Sequence, residues 1–259
     1  MLFGAHKMKS VLALAIAALV SLGGMASAEK QTLRIATEGA YPPFNFIDAS
    51  GKLTGFDVEI AHALCKEMDA NCSIVTVPWV EIITRLEQHE YDLVVASMSL
   101  TDERAKRMEF STPYYRSHSA FAGDPQKFHD ISPAALKGIK IGAGKDTMQA
   151  EYLKKVYPES TIILAADQPS AQKLLTSGSV ELMLADSIEL LAFLQSPENS
   201  RFDYVGDPLT SDLLRSTSHV TASKGNTELI QQVNEALSQI RLNGTYDRIN
   251  NNYFPFSIY

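Results

Sequence analysis

The chain contains two cysteines in 259 residues, and its 23 lysines and arginines are outnumbered by 30 aspartates and glutamates. Two cysteines are too few for a cysteine-rich zinc site or a disulfide-dense miniprotein. The formal charge of −7 has the wrong sign for a general binder of nucleic acids or anionic membranes. Beyond residue 28 no run of about 18 apolar residues occurs, so no membrane-spanning helix is predicted there. The composition is typical of a soluble globular protein.

Sequence signatures of catalysis are also missing. No G-x-S-x-G or H-E-x-x-H pattern occurs, and the six histidines are scattered. The segment 142–147 superficially resembles a phosphate-binding loop, but its lysine is followed by aspartate and the upstream glycine position is occupied by Ile139. It is better interpreted as a strand-to-helix turn, capped by Asp146 or Thr147, that leaves amide N–H groups free for an anion. We therefore predict no enzymatic activity, no metal site and no cofactor.

The first 28 residues differ in kind from the rest. Lys7 and Lys9 precede the apolar run 11–22, and the small residues 26–28 follow it. This order is typical of a cleaved secretory signal. The alternative is a retained membrane anchor, but twelve residues of helix span only about 18 Å of a core roughly 30 Å thick. We predict that residues 1–28 are removed and that the product is exported to the periplasm.

Export places Cys65 and Cys72 in an oxidising compartment, where two cysteines seven positions apart at the end of a predicted helix are able to pair. The alternative is a pair of metal ligands, but no histidine or cysteine cluster stands nearby to complete the coordination. The pattern favours a structural disulfide, whose short loop stabilises the fold by about 2.5 kcal/mol in the chain-entropy description.

Alternating strand and helix patterns run through the chain and occur twice. The first series predicts strands at 32–37, 73–77 and 93–96 and helices at 56–68 and 79–86. The second predicts strands at 139–143, 161–165 and 182–185 and helices at 148–156 and 170–175, and the chain ends with predicted helices at 227–241 and 244–252. Residues 91–97 can also be laid over residues 180–186. The sequence thus predicts two similar α/β lobes, each a mostly parallel sheet flanked by helices.

Ligands of open parallel sheets bind outside the carboxyl ends of the strands. Two lobes that face each other through those ends would place Ser97 and Asp186 on opposite walls of one cleft. We predict that residues 114–121 and 216–223 cross between the lobes in a two-segment hinge. The predicted boundaries are 29–117 with 218–259 for lobe 1 and 118–217 for lobe 2.

The segment 96–104 ends the strand of lobe 1 and carries candidate binding groups. Thr101 can cap a short helix, which places Arg104 one turn from the cap and facing the same strand end. The alternative is an arginine that pairs with Asp102 or Glu103 on a solvated face. On this pattern alone both interpretations stay open.

Six motifs together resemble one family, the polar amino-acid-binding proteins of bacterial ABC importers. The similarity is greatest to receptors for lysine, arginine, ornithine and histidine and to their opine-binding relatives. It extends over residues 31–257, with Cys65 and Cys72 where those receptors carry a disulfide. The motifs are Ala36–Phe44, Gly55–Asp57, Tyr91–Asp92, Ser97–Thr101 with Arg104, Phe110–Tyr115 and Gly244–Tyr246.

The resemblance implies a ligand-binding set of ten residues: Glu38, Tyr41, Trp79, Ser97, Ser99, Arg104, Thr147, Met148, Gln149 and Asp186. The arginine would grip a carboxylate, helped by amides near Ser99 and Thr147. Asp186, the Ser97 carbonyl and the Ser99 hydroxyl would accept from an ammonium group. Tyr41 and Trp79 would sandwich the ligand side chain, and Glu38 would meet a distal cation. Ala96, Met148 and the large Trp79 depart from the residues usual in the family and leave side-chain specificity less defined.

Charge counting supports a cationic ligand. The ligand's own carboxylate and ammonium would neutralise Arg104 and Asp186, leaving Glu38 unpaired in a closed cleft, which is costly. Alternatively, Glu38 stays solvated at the cleft mouth. We predict a monomeric periplasmic receptor that closes around a basic amino acid or an opine and delivers it to an ABC permease in the inner membrane. The alternative is a periplasmic cyclohexadienyl dehydratase-like enzyme with Glu38 or Asp186 as proton donor.

Overall fold

The computed structural model describes residues 30–215 and 217–259, and the predicted signal segment 1–28 lies outside them. Two five-stranded sheets form the framework. The first sheet has the order β5 (Asn71–Thr76), β1 (Thr32–Thr37), β6 (Leu93–Ser99), β13 (Thr217–Ser223) and β7 (Met108–Arg116). The second has the order β10 (Thr161–Ala165), β9 (Lys140–Gly144), β11 (Leu182–Asp186), β8 (Ser119–Gly123) and β12 (Asp203–Leu209). A small sheet contains β2 (Ala40–Tyr41), β3 (Asn45–Ile47) and β4 (Leu53–Thr54).

Helices cover both large sheets. They are α1 (Phe56–Glu67), α2 (Trp79–Glu87), α3 (Asp102–Arg107), α4 (Met148–Val156), α5 (Gln168–Thr176), α6 (Ser187–Leu194), α7 (Thr227–Leu242) and α8 (Thr245–Tyr253), with a short 3-10 turn at Pro197–Asn199. Within the described part of the chain, none of the helices has both the length and the apolar character needed to cross a bilayer. The predicted α/β class with two helix-flanked sheets is confirmed.

The two sheets share one plan, in which a parallel part is completed by antiparallel strands. In the first, β1 pairs in parallel with β5 and β6, whereas β13 runs antiparallel to β6 and β7. In the second, β9 pairs in parallel with β10 and β11, whereas β8 runs antiparallel to β11 and β12. The residues between consecutive parallel strands form the crossover helices, which accounts for the alternating pattern in the sequence.

The chain passes from the first sheet to the second at residues 117–118, between β7 and β8, within the predicted crossing 114–121. It returns after β12 and before Thr217. The segment 217–223 is not itself a crossing, because it pairs on both sides with strands of the first sheet. The lobe boundaries stay a prediction.

The central strands of each large sheet are buried on both faces, which explains their apolar character. Residues 93–96 of β6 are all buried, as their unbroken apolar character predicts. One face packs against α1, α7 and α8, and the other against α2. The second sheet likewise lies between two apolar clusters. Its packing holds the carboxyl ends of β9 and β11 at one edge.

A disulfide joins Cys65 near the end of α1 to Cys72 at the start of β5, with Cα atoms 6.2 Å apart. The predicted pairing is confirmed. The bond closes the turn between the first helix and the edge strand of the first sheet.

Candidate functional site

A cavity of about 650 Å³, which includes space open to solvent, lies between the two large sheets. All ten residues of the predicted ligand-binding set line it. They come from both sheets, because the strands β1, β6, β9 and β11 end towards the same gap. The structure therefore brings the predicted residues together, and their contact with a ligand stays a prediction.

Arg104 is a buried cation on the first-sheet wall of this cavity. Thr101 caps α3 by accepting from the Arg104 amide at 3.2 Å, as the sequence indicates. Nη1 of Arg104 donates to the Ser99 carbonyl at 3.0 Å, and Nη2 of Arg104 donates to the Asp146 carbonyl of the opposite wall at 2.8 Å. The guanidinium lies 5.2 Å from the Trp79 ring centroid, a contact that the sequence did not indicate.

Burial lowers the pKa of Arg104 to about 10, so the side chain stays protonated at neutral pH. In residues 30–215 and 217–259 no carboxylate forms a salt bridge with it. The predicted alternative, pairing with Asp102 or Glu103, is wrong, because Asp102 pairs with Arg215 and Glu103 with Lys106. A buried guanidinium with carbonyl partners is suited to receive an anion from the cavity.

The start of α4 adds amide donors on the second-sheet wall. Thr147 caps this helix: its hydroxyl accepts from the Ala150 amide at 3.2 Å and donates to the Gly144 carbonyl at 2.7 Å. The first amides of a helix have no partner within it, and here they belong to Met148 and Gln149. The Gln149 side chain turns to Ser119. Of the two predicted caps, Thr147 is the one that forms.

Asp186 ends β11 of the second sheet, is buried, and lines the same cavity as Ser97 of the first sheet. A single oxygen, Oδ1, accepts from the Ser117 hydroxyl at 2.8 Å and from the amides of Ile188 and Glu189 at 2.9 and 3.3 Å. No hydrogen bond from the described residues reaches Oδ2. Burial raises the pKa of Asp186 to about 6. The carboxylate thus caps α6 with one oxygen and leaves the other for a donor in the cavity.

Ser97 is held in an unusual backbone conformation by a network that sequence reasoning missed. Its φ of 55° lies in the left-handed region, which non-glycine residues rarely adopt. The fully buried Asp57 accepts from the Ser97 hydroxyl at 2.9 Å, from Tyr114 at 2.6 Å and from Asn45 at 2.7 Å. The Ser97 amide donates to the Tyr114 hydroxyl at 2.9 Å. Asp57 therefore fixes the strand end from behind the cavity wall.

Acidic groups also line the cavity, and none of them forms a salt bridge with Arg104 within the described residues. Burial, together with the charges of Asp167 and Asp57, raises the pKa of Glu38 to about 7. Asp167 also lines the cavity and caps α5 by accepting from the Ser170 amide at 2.8 Å. This cap starts the helix at residue 168, two residues before the predicted start. The Asp-Gln-Pro-Ser sequence is a usable cap signal, and it was missed.

The predicted aromatic sandwich is only partly recognisable. Tyr41 stacks on Phe44 with ring centroids 5.4 Å apart, and Trp79 packs against Arg104. Both rings line the cavity from the first-sheet side. Tyr115, Gln168 and Ser218 also line it and were not predicted. The cavity is thus lined by one buried guanidinium, several carboxyl groups and aromatic rings.

Comparisons with known proteins identify the family of the chain. The sequence profile described as bacterial extracellular solute-binding proteins, family 3, matches residues 33–256. The L-arginine-binding protein of Pseudomonas aeruginosa is 31% identical over 256 residues, which cover 97% of this chain and 99% of that protein.

Solved structures give the same result. An ancestral arginine-binding protein, solved with arginine and with glutamine, has a TM-score of 0.80 and 30% identity in both complexes. The arginine complex covers 87% of this chain and is itself covered to 99%. An ancestral amino acid-binding protein described as a precursor of cyclohexadienyl dehydratase has a TM-score of 0.76 and 28% identity, covering 86% of this chain and 95% of that one.

Proposed function

The chain belongs to the bacterial extracellular solute-binding proteins of family 3, and we propose that it is the periplasmic receptor of an ABC importer for a basic amino acid or a guanidinium-bearing opine. The observation that carries this proposal is the buried Arg104, which forms no salt bridge within the described residues and shares its cavity with the carboxyl groups of Glu38, Asp167 and Asp186. A zwitterion with a cationic side chain is complementary to that set of charges.

The binding groups divide among the three parts of such a ligand. Arg104 and the first amides of α4 receive the carboxylate, and Asp186 Oδ2 with the Ser97 carbonyl receives the ammonium. Glu38 receives the distal cation, with Tyr41 and Trp79 along the side chain. The arginine in the names of related proteins supports this choice of ligand class.

Closure follows from the two-sided construction of the cavity. The contact of Arg104 with the Asp146 carbonyl at 2.8 Å and the Arg215–Asp102 salt bridge at 2.9 Å hold the opposing walls together. A ligand held by both walls shifts the balance between open and closed forms, because only the closed form satisfies both ends at once. We propose hinge motion about residues 117–118 and the return segment before β13, recognition of the closed form by the membrane permease, and a monomeric receptor.

A calorimetric screen of ligand-stripped protein tests the proposal. We expect arginine, lysine, ornithine or a guanidinium opine to bind more tightly than glutamine or cystine, because only the former bring a full distal cation to Glu38. Tighter binding of glutamine or cystine than of every cationic ligand would contradict it. Incubation with prephenate and arogenate belongs in the same experiment, since sustained formation of phenylpyruvate or phenylalanine would replace the receptor with a dehydratase.

The pKa of Glu38 leads to a pH dependence of binding. A cation beside Glu38 favours the ionised carboxylate, so binding near neutral pH releases a proton. Arginine affinity should therefore fall as the pH drops below about 7, approaching tenfold per pH unit. In the ligand-free protein the sign is opposite: the raised pKa means that stability is lost as the pH rises through about 7.

Calorimetry in buffers of different ionisation enthalpy measures the released protons directly. Burial raises the pKa of Glu189 to about 8, so this residue titrates in the same range, and the Glu38→Gln variant isolates the contribution of Glu38. We expect that variant to lose most of the dependence around pH 7. An unchanged profile in Glu38→Gln would show that Glu38 does not face the ligand cation.

A further inference from the structure

Glu189 is a buried acidic residue that lies behind the cavity rather than on its wall. It is 1% exposed and stands in the first turn of α6, three residues after Asp186. Its Oε2 accepts from Gln168 Nε2 at 3.0 Å, and its Oε1 accepts from Gln172 Nε2. Across residues 30–215 and 217–259 no basic side chain forms a salt bridge with it. Burying a carboxyl group that pairs with no cation costs free energy, so packing alone does not account for Glu189.

One of its two amide partners reaches the cavity. Gln168 lines the cavity wall at the start of α5, whereas Gln172, one turn further on, does not. A methyl group built on Gly144 would lie 3.3 Å from Gln168 Oε1, so this oxygen sits close to the Gly144 backbone, and both residues line the cavity. The Nε2 end of the same carboxamide is directed to Glu189.

A carboxamide has a donor end and an acceptor end of nearly equal size, so its orientation decides what it offers to a ligand. In the ionised form of Glu189 both carboxyl oxygens accept from amide groups, which holds the donor end of Gln168 away from the cavity. The acceptor end is then free to join the carboxylates of Glu38 and Asp167, which also line the cavity. These acceptors come from two segments, the turn after β1 and the start of α5.

We infer that Glu189 determines specificity through Gln168, by holding its carboxamide so that the distal end of the site presents acceptors to a guanidinium group. The inference rests on the proposed function and adds a positioning residue that does not touch the ligand. A guanidinium has five N–H donors and no acceptor, and it satisfies several acceptors at once. Citrulline has nearly the same shape but carries a carbonyl oxygen, which would face other acceptors and lose affinity.

The test is the ratio of arginine affinity to citrulline affinity, measured by competition calorimetry at about pH 9, where Glu189 is ionised because the pH lies above its pKa of about 8. Glu189→Gln keeps the size of the side chain but adds a donor, which allows Gln168 to turn its oxygen away. We expect the ratio to fall by roughly tenfold, as for the loss of one hydrogen bond to a charged donor. Gln168→Met should produce a similar fall, because it removes the acceptor itself. Gln231→Met is the matched control, because Gln231 is an exposed glutamine of α7 that donates to Glu235 and does not line the cavity, and it should leave the ratio unchanged.

A double variant separates positioning from simple charge. If Glu189 acts through Gln168, Glu189→Gln should change the ratio little further in the Gln168→Met background. If Glu189→Gln lowered the affinity ratio in the Gln168→Met background as much as it does in the wild type, the inference would be overturned, because Glu189 would then act by its charge. An unchanged ratio in folded Glu189→Gln would also overturn it, and where that variant does not fold, an unchanged ratio in Gln168→Met does so. Wild-type protein that binds citrulline as tightly as arginine would overturn the inference alone, whereas protein that binds no cationic ligand would overturn the proposed function as well.

Discussion

Replacing Arg104 by methionine should weaken arginine binding by roughly 30-fold or more, because removing one partner of a buried, hydrogen-bonded charge pair costs about 2–5 kcal/mol. The variant keeps much of the stem that packs on Trp79 but removes the guanidinium. It leaves the ligand carboxylate to the amides of α4 alone. Calorimetric titration of ligand-stripped protein measures the loss.

Two comparisons make this prediction specific. Agmatine is arginine without its carboxylate, so it should bind the wild type less tightly than arginine does. Its affinity should be the same in Arg104→Met as in the wild type, because it has no carboxylate for Arg104 to contact. Arg107→Met, three residues along in α3, removes a guanidinium that pairs with Glu87 at the surface and should leave arginine affinity unchanged. Equal losses for arginine and agmatine would point to general damage, and wild-type affinity in Arg104→Met would refute its assignment as the carboxylate receptor.

Replacing Asp186 by asparagine should also weaken arginine binding by roughly 30-fold or more, through loss of the charge that faces the α-ammonium. Asparagine retains an oxygen for the cap of α6, where Asp186 accepts from the amides of Ile188 and Glu189. The fold should therefore persist, and thermal unfolding checks that it does. Because the pKa of Asp186 is raised to about 6, its carboxylate is ionised at neutral pH in the wild type.

The matched ligand for this variant is arginine lacking its α-amino group. That compound should bind the wild type weakly and lose little further affinity in Asp186→Asn, because the missing contact is already absent. Glu181→Gln, just before the other end of the same strand, is the control for a lost carboxylate that does not line the cavity. If Asp186→Asn weakened both ligands equally, its carboxylate would be acting on the cavity as a whole and not on the ammonium.

Much of the fold was predictable because its information is local. Strand β1, helix α4 and strand β10 have the predicted bounds at both ends, since apolar periodicity and caps such as Thr147 are written into a few adjacent residues. The disulfide was predictable from spacing and export. Antiparallel strands β7 and β12 and the helix α6 were not predicted, because short mixed segments carry no period that separates strand from loop.

The ten predicted site residues were found by resemblance to a family, and they meet in one cavity because the parallel strands of both sheets end at the same gap. Sequence alone determined which residue types stand at those ends. The tertiary structure decided the partners of the buried carboxyl groups. Asp57 contacts Ser97 from 40 residues away, and Glu189 contacts Gln168 from 21 residues away. Such pairs follow from sheet order and helix packing, which bring distant residues into hydrogen-bond range. The residues adjacent to each partner in the sequence therefore do not predict the pair.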